Sequence, residues 1–319
     1  MPNQPFATPI EQSENMLTGP WRAPLQMLAA QQYDADGSIH DDATAQKLGF
    51  RGGTIEGPTH FSQFAPLAFA LWGERWFSEG CISAHYRNAV YEGERVRAIL
   101  TQTGPEHATI TMEKEDGTEV LRGSASVGRN APPSALDERL KTLPPPGTLV
   151  ILRDIRVGIK TSRRKIEMSA EQNMGALYPF SLKQKLTKIT EPSSWYAASG
   201  AASSPFGRAI IPLEMISVLL NYTSKLDALL VRGGAIGLFA DQEIRLIKGP
   251  LFVGESYEIE REVVALSGSK RTESMWVKTS VYAPGSNDLL GTMLLNIASL
   301  KESYPNYATE LAEIEAAAA

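Results

Sequence analysis

The chain has 319 residues, 43% of them hydrophobic and 21% charged, with a formal net charge of -5. That length is ample for one large core or two ordinary ones, and the acidic balance excludes a protein built to wrap DNA or RNA. A single cysteine, Cys81, excludes an intramolecular disulfide and a cysteine-built zinc site.

The opening stretch, "MPNQPFATPIEQSEN", lacks a basic region followed by an apolar run, so no signal peptide is expected. No stretch reaches about 18 apolar residues free of charge, so no membrane span is expected either. Cys81 reads as a small buried hydrophobe, and the chain suits a reducing, cytoplasmic compartment.

Next comes "SIHDDATAQKLGFRGGTIEGPTHF", Ser38 to Phe61, where a histidine stands among carboxylates and a glycine precedes a helix start. The run "THFSQFAPLAFALWGERW" repeats Phe61, Phe64, Ala68, Leu71 and Trp72 at helical spacing. Pro58 suits its first turn, and Pro66 bends it or shifts its start. Four strands follow in "CISAHYRNAV", "ERVRAILTQTG", "ATITMEKEDG" and "TEVLRGSASVG", with "EDGT" as a hairpin turn. The proline-rich "NAPPSALDERLKTLPPPG", Asn130 to Gly147, forbids a continuous helix or central strand and reads as a linker with a short helical turn in "SALDERL".

The second half repeats the order. "LEMISVLLNYTSKLDALL" is read as helix throughout, with Met215, Leu219, Tyr222 and Leu226 on one face. Strands are read in "AIGLFADQEIRLIKG", "SYEIEREVVALSG", "RTESMWVKTSVYA" and "LLGTMLLNIASL". One helix and several long strands, twice over, give two α+β domains, 1–129 and 148–319, around the linker 130–147. "VYEGE" matches "LFVGE" with Gly93 and Gly254 161 apart, and Phe50 matches Phe206 at 156.

Two candidates carry chemistry. His40 has Asp34 and Asp36 upstream and Asp41 and Asp42 downstream. A carboxylate can hold an imidazole in one tautomer or share acid–base work with it. The same letters also describe an exposed turn. Gly57 precedes the helix start, where a backbone N–H has no intrahelical partner and the helix dipole favours negative charge; a plain N-terminal turn is the other reading.

On "IHDDATAQKLGFRGGTIEGPTHF" and "YRNAVYEGERV", the chain resembles the hot-dog superfamily, and within it the MaoC-like hydratases and dehydratases in their double hot-dog form. The resemblance implies an α+β tandem hot-dog, each half an antiparallel sheet wrapped around a central helix. It implies a lyase that hydrates an enoyl thioester or dehydrates a 3-hydroxyacyl thioester, with acyl-CoA or an acyl carrier as partner and no cofactor or metal. His40 matches the family's histidine and Gly57 its oxyanion glycine. The family's acid stands five residues earlier, where this chain has Ala35; Asp36 is four before and Asp34 six before. A one-residue loop change brings either into place, and Gly37 favours Asp36. Glu56 occupies a position often held by histidine and is a candidate substrate contact. A thioesterase on the same fold and a non-catalytic acyl-thioester binding or assembly protein are the alternatives.

Under the 156-residue offset, Tyr196 falls at His40 and Leu213 at Gly57, and the second half has no histidine, so at most one half carries the machinery. His60 and Arg87 are candidates for the same cavity, Arg87 or its neighbour His85 according to which strand face points inward. Arg51, Arg208, Arg245 and Lys248 are candidates for a phosphate. His107 reads as a loop residue. The bulky run "FAPLAFALWGERWF" favours a short or ring-bearing acyl group. Pairing of the two halves covers the sheet edge that one unit would expose and leaves further dimerisation open.

Overall fold

The computed structural model describes residues 4–32, 37–227, 229 and 231–318. Its described strands join in one antiparallel sheet of 11. A small hairpin, β1 (Glu11–Ser13) and β2 (Met16–Thr18), forms one edge. The first half supplies β3 (Gly80–Tyr86), β4 (Val96–Gly104), β5 (His107–Lys114) and β6 (Glu119–Val127). The second supplies β7 (Arg164–Glu167), β8 (Gly237–Leu246), β9 (Ser256–Gly268), β10 (Thr272–Tyr282) and β11 (Leu289–Leu300). The order across the sheet is β1-β2-β4-β5-β6-β3-β8-β11-β10-β9-β7. The eight long strands lie where the alternating segments place them, and Gly117 makes the "EDGT" turn with φ +83°.

The described helices are α1 (Asp42–Lys47), α2 (Phe61–Trp72), α3 (Arg75–Glu79), α4 (Ala135–Lys141), α5 (Leu182–Leu186), α6 (Leu213–Asn221) and α7 (Tyr307–Ala318). Among the described residues no helix is long and apolar enough to cross a membrane. α2 and α6 are the two central helices around which the sheet wraps. Their apolar surface extends nearly all round because they are enclosed on nearly every side. Phe61, Phe64, Leu67 and Ala68 on α2 are fully buried, and every residue of α6 is buried. Pro66 sits inside α2 without ending it.

The internal repeat is borne by hydrogen bonds. The Thr54 N–H donates to Ile39 O at 3.0 Å, and 156 residues on the Ile210 N–H donates to Trp195 O at 2.9 Å. The Ile55 N–H donates to Val90 O at 2.7 Å, and the Ile211 N–H donates to Leu251 O at 2.8 Å. Gly93 and Gly254 both take positive φ, +89° and +75°, so the "EGE" and "VGE" turns need glycine for the same reason. At the sheet centre β3 pairs with β8 through Ile82↔Ile244 and Ser83↔Glu243. A 161-residue shift exchanges these two pairs, which is what a two-fold relation between the halves requires.

One expectation is corrected. The second central helix ends at Asn221; it does not run on through "YTSKLDALL". Arg261, reaching from β9, donates to the Leu220 carbonyl at 2.5 Å and to Thr223 Oγ1 at 3.1 Å, and pairs with Asp227. The first of these satisfies a carbonyl of the helix's last turn from outside, and the other two hold the chain that follows it. Leu226, expected on the apolar face, is 65% exposed. The segment read as a linker carries α4, where a helical turn is expected in "SALDERL". Ser134 and Asp137 form a capping box at the start of α4. The Ala135 and Leu136 N–H groups donate to Ser124 Oγ and Ser83 Oγ at 2.9 and 3.0 Å, tying the helix to the outside of the sheet. Leu136 packs there with Trp276 and Leu294.

Candidate active site

The loop carrying His40 is built by its neighbours. Asp41 caps α1, accepting from the Thr44 N–H at 2.8 Å, and Asp42 accepts from the Gly53 N–H at 2.7 Å. These carboxylates are spent on the backbone and do not face the imidazole. A Cβ at Gly53 would overlap the His40 carbonyl, so glycine is required for that close approach.

His40 Nδ1 lies 2.7 Å from the Thr54 carbonyl oxygen. A carbonyl only accepts, so Nδ1 carries the proton and the neutral ring presents a lone pair at Nε2. Burial pushes the His40 pKa down to about 4, against the opposing pull of the Thr54 carbonyl. The ring is therefore neutral at physiological pH and fixed in one tautomer.

His40 opens on a cavity of about 240 Å³, which Glu56, Gly57, His60, Tyr86 and Arg87 also line. The second half closes it with Tyr178 and the start of β8, Gly237 to Ala240. Gly57 opens a short 3-10 turn, Gly57–His60, that runs into α2. Its N–H donates to no described residue. The Tyr86 ring lies against its Cα: an added Cβ would come within 2.6 Å of Tyr86 Cζ. That ring is held by a 3.0 Å hydrogen bond from its hydroxyl to Gln242 Oε1 and by stacking on Phe61.

Behind the cavity lies a buried charge cluster. The Lys185 ammonium stands 3.2 Å from Glu214 Oε2 and donates to Thr59 Oγ1 at 3.0 Å. Glu56 is 7% exposed and its Oε1 has no partner among the described residues. Burial raises the Glu56 pKa to about 7; Lys185 and a Tyr178 hydrogen bond oppose that, and Glu214 adds to it. Glu214 is also raised, by burial first. His60 is buried, its Nδ1 without a partner among the described residues, and burial with the Lys185 and Lys114 charges lowers its pKa to about 3.

The structure thus brings His40, Glu56, Gly57, His60 and Arg87 to one cavity. Arg87 is exposed and pairs with Glu119 at 3.6 Å. Arg51 does not line it; it pairs with Glu94 and stacks on Tyr91. His85 points to the other sheet face, where Asp241 holds it at 2.7 Å. Arg208, Arg245 and Lys248 are paired with Glu255, Asp137 and Asp288. Asp34 and Asp36 lie outside the described residues. Thr54, Tyr178, Lys185 and Glu214 are the site's unforeseen members. Lys185 stands 126 positions from Thr59, a separation at which one sequence carries no signal.

The equivalent place in the second half is filled. Tyr196, at the His40 position, is buried, and Leu213, at the Gly57 position, starts α6. Phe6 from the N-terminal segment packs its ring 6.2 Å from Tyr196, beside Phe69, Phe77 and Trp195. Among the described residues no group of three or more His, Cys, Asp or Glu side chains is arranged to hold a metal ion.

No family model matches the sequence, and no curated protein matches it. Solved structures do resemble it. One is a MaoC domain protein, provisionally named a dehydratase, from Chloroflexus aurantiacus J-10-fl: 13% identity, TM-score 0.56, covering 92% of this chain and 95% of that one. Another is a conserved hypothetical protein of Mycobacterium tuberculosis described as having a double hot-dog fold: 11% identity, TM-score 0.51, covering 88% and 94%. The chain has the double hot-dog fold.

Proposed function

We propose that the chain is a lyase of the MaoC-like kind, adding water across the double bond of an enoyl thioester or removing it from a 3-hydroxyacyl thioester. The observation that carries this reading is the meeting, at one cavity, of a neutral imidazole whose Nε2 presents a lone pair and a helix-start N–H that donates to no described residue. The Gly57 N–H holds the thioester oxygen as charge builds on it, a donor of a kind whose removal costs about 10²–10³-fold in rate. His40 takes a proton from water, with Asp36, or Asp34 in its place, orienting that water; acid–base help of this kind is worth about 10²–10⁴-fold. Arg87 at the cavity lining is the candidate contact for the carrier's anionic portion, and coenzyme A is the carrier proposed. A cytoplasmic setting belongs to the same proposal, supported by the single, buried, free thiol Cys81.

The test is a panel of enoyl-CoA thioesters of varied length and branching, with loss of the conjugated double bond and release of free thiol followed separately. Hydration without thiol release is the expected result. Thiol released first makes the protein a thioesterase, and tight binding without turnover makes it a binding protein.

A further inference from the structure

We propose that Glu56 is the proton donor to the substrate α-carbon, a role that rests on the lyase reading and sharpens it. The carboxyl belongs to the residue preceding Gly57, lines the same cavity, and leaves Oε1 buried and without a described partner. A buried polar atom in that condition is costly unless something arrives to meet it.

Charge counting in the cluster says which form of the acid is present. Two buried carboxyls, Glu56 and Glu214, share one buried ammonium, Lys185, and His60 is neutral. Two anions cannot both persist buried beside one cation. Lys185 stands 3.2 Å from Glu214, so the surplus proton rests on Glu56. The groups facing Glu56 are Lys185 on α5, Glu214 on α6, Tyr178 ahead of α5, Tyr86 on β3 and His60 on its own segment. Tyr178 also accepts from Asn221 Nδ2 at 2.9 Å, which fixes its hydroxyl. His40 and His60 are both driven neutral, so neither holds a surplus proton to give.

The cavity therefore holds a base without a proton and an acid with one, the division of labour that hydration needs. The water oxygen bonds to Cβ as its proton passes to His40 Nε2. The π pair moves into an enolate whose oxygen accepts from the Gly57 N–H. The enolate re-forms its C=O, and the Cα carbon takes the Glu56 proton. The proton on His40 then returns through solvent to the Glu56 carboxylate, so the sum is one water added. Dehydration runs these steps backwards, with Glu56 ionised at the start.

The experiment compares pH profiles of kcat/KM for enoyl-CoA hydration in the wild type, Glu56→Gln and Glu56→Asp, with circular dichroism reporting the fold. Wild-type activity is expected to fall above a pH of about 7. Glu56→Gln, nearly isosteric with the protonated acid, is expected to lose about 10²–10⁴-fold and to lose that alkaline limb. Glu56→Asp, still an acid, is expected to keep the limb at reduced rate. A Glu56→Gln protein within threefold of wild type, or one whose alkaline limb persists, overturns the donor role while leaving the lyase reading intact. A wild-type protein that hydrates no thioester overturns both.

Discussion

Replacing Gly57 by alanine drives a methyl carbon into the Tyr86 ring. The added Cβ would lie 2.6 Å from Tyr86 Cζ and 2.8 Å from both Cε atoms, well inside contact distance. The ring cannot swing freely, because its hydroxyl is bonded to Gln242 and its face stacks on Phe61. Overpacking of this kind costs roughly 1–3 kcal/mol. The strain also displaces the Gly57 N–H, and losing an oxyanion donor costs about 10²–10³ in kcat. Denaturant unfolding and steady-state hydration kinetics read the two effects separately. Replacing Tyr86 by leucine should relieve the clash and with it the displacement of the N–H, so a double-mutant cycle shows coupling in stability and in kcat. Gly57→Ala with unchanged stability and unchanged kcat would refute both the packing argument and the donor role.

His40→Ala should lower kcat by about 10²–10⁴-fold with a smaller effect on KM, measured on the best thioester of the panel. Stability should depend on pH in two opposing windows. His40 and His60 have folded pKa values of about 4 and 3 against an ordinary 6.5. The unfolded chain therefore binds more protons between those limits, and their contribution, full above about 6.5, is lost as pH falls toward 4 and 3. Glu56 runs the other way: raised from 4.5 to about 7, it contributes below 4.5 and is lost as pH rises through 7. Glu56→Gln should therefore be more stable than wild type at pH 8, by on the order of 3 kcal/mol at most, in urea titrations at pH 5 and 8. Phe6→Ala should cost roughly 3–5 kcal/mol in the same titrations by opening the filled second site, while kcat for hydration stays within twofold.

The long strands and both helix starts were legible because alternation and helical spacing run over many residues: β9 spans 13 and α2 spans 12. β1, β2 and β7 span three or four residues and carry too little pattern to read. The end of α6 was illegible because Arg261, some forty residues downstream, terminates it. At the site, the local motif brought His40 and Gly57 forward, since both lie within one stretch of chain. It also made Asp41 and Asp42 look like partners of the imidazole, where they cap and brace the backbone. What sets the protonation of Glu56 is first its burial and then Lys185 on α5 and Glu214 on α6, from the second half, and only the folded chain provides any of these. Arg51 shows the converse: near in sequence, it is held away from the cavity by Glu94 and Tyr91.

The most direct measurement is hydration of an enoyl-CoA in deuterium oxide, with the product examined by proton NMR. Base and acid fixed on opposite tasks around one thioester should yield an intact 3-hydroxyacyl thioester carrying a single deuterium at Cα, in one stereochemical position. A product cleaved at the thioester, or a Cα labelled at random, would contradict the account.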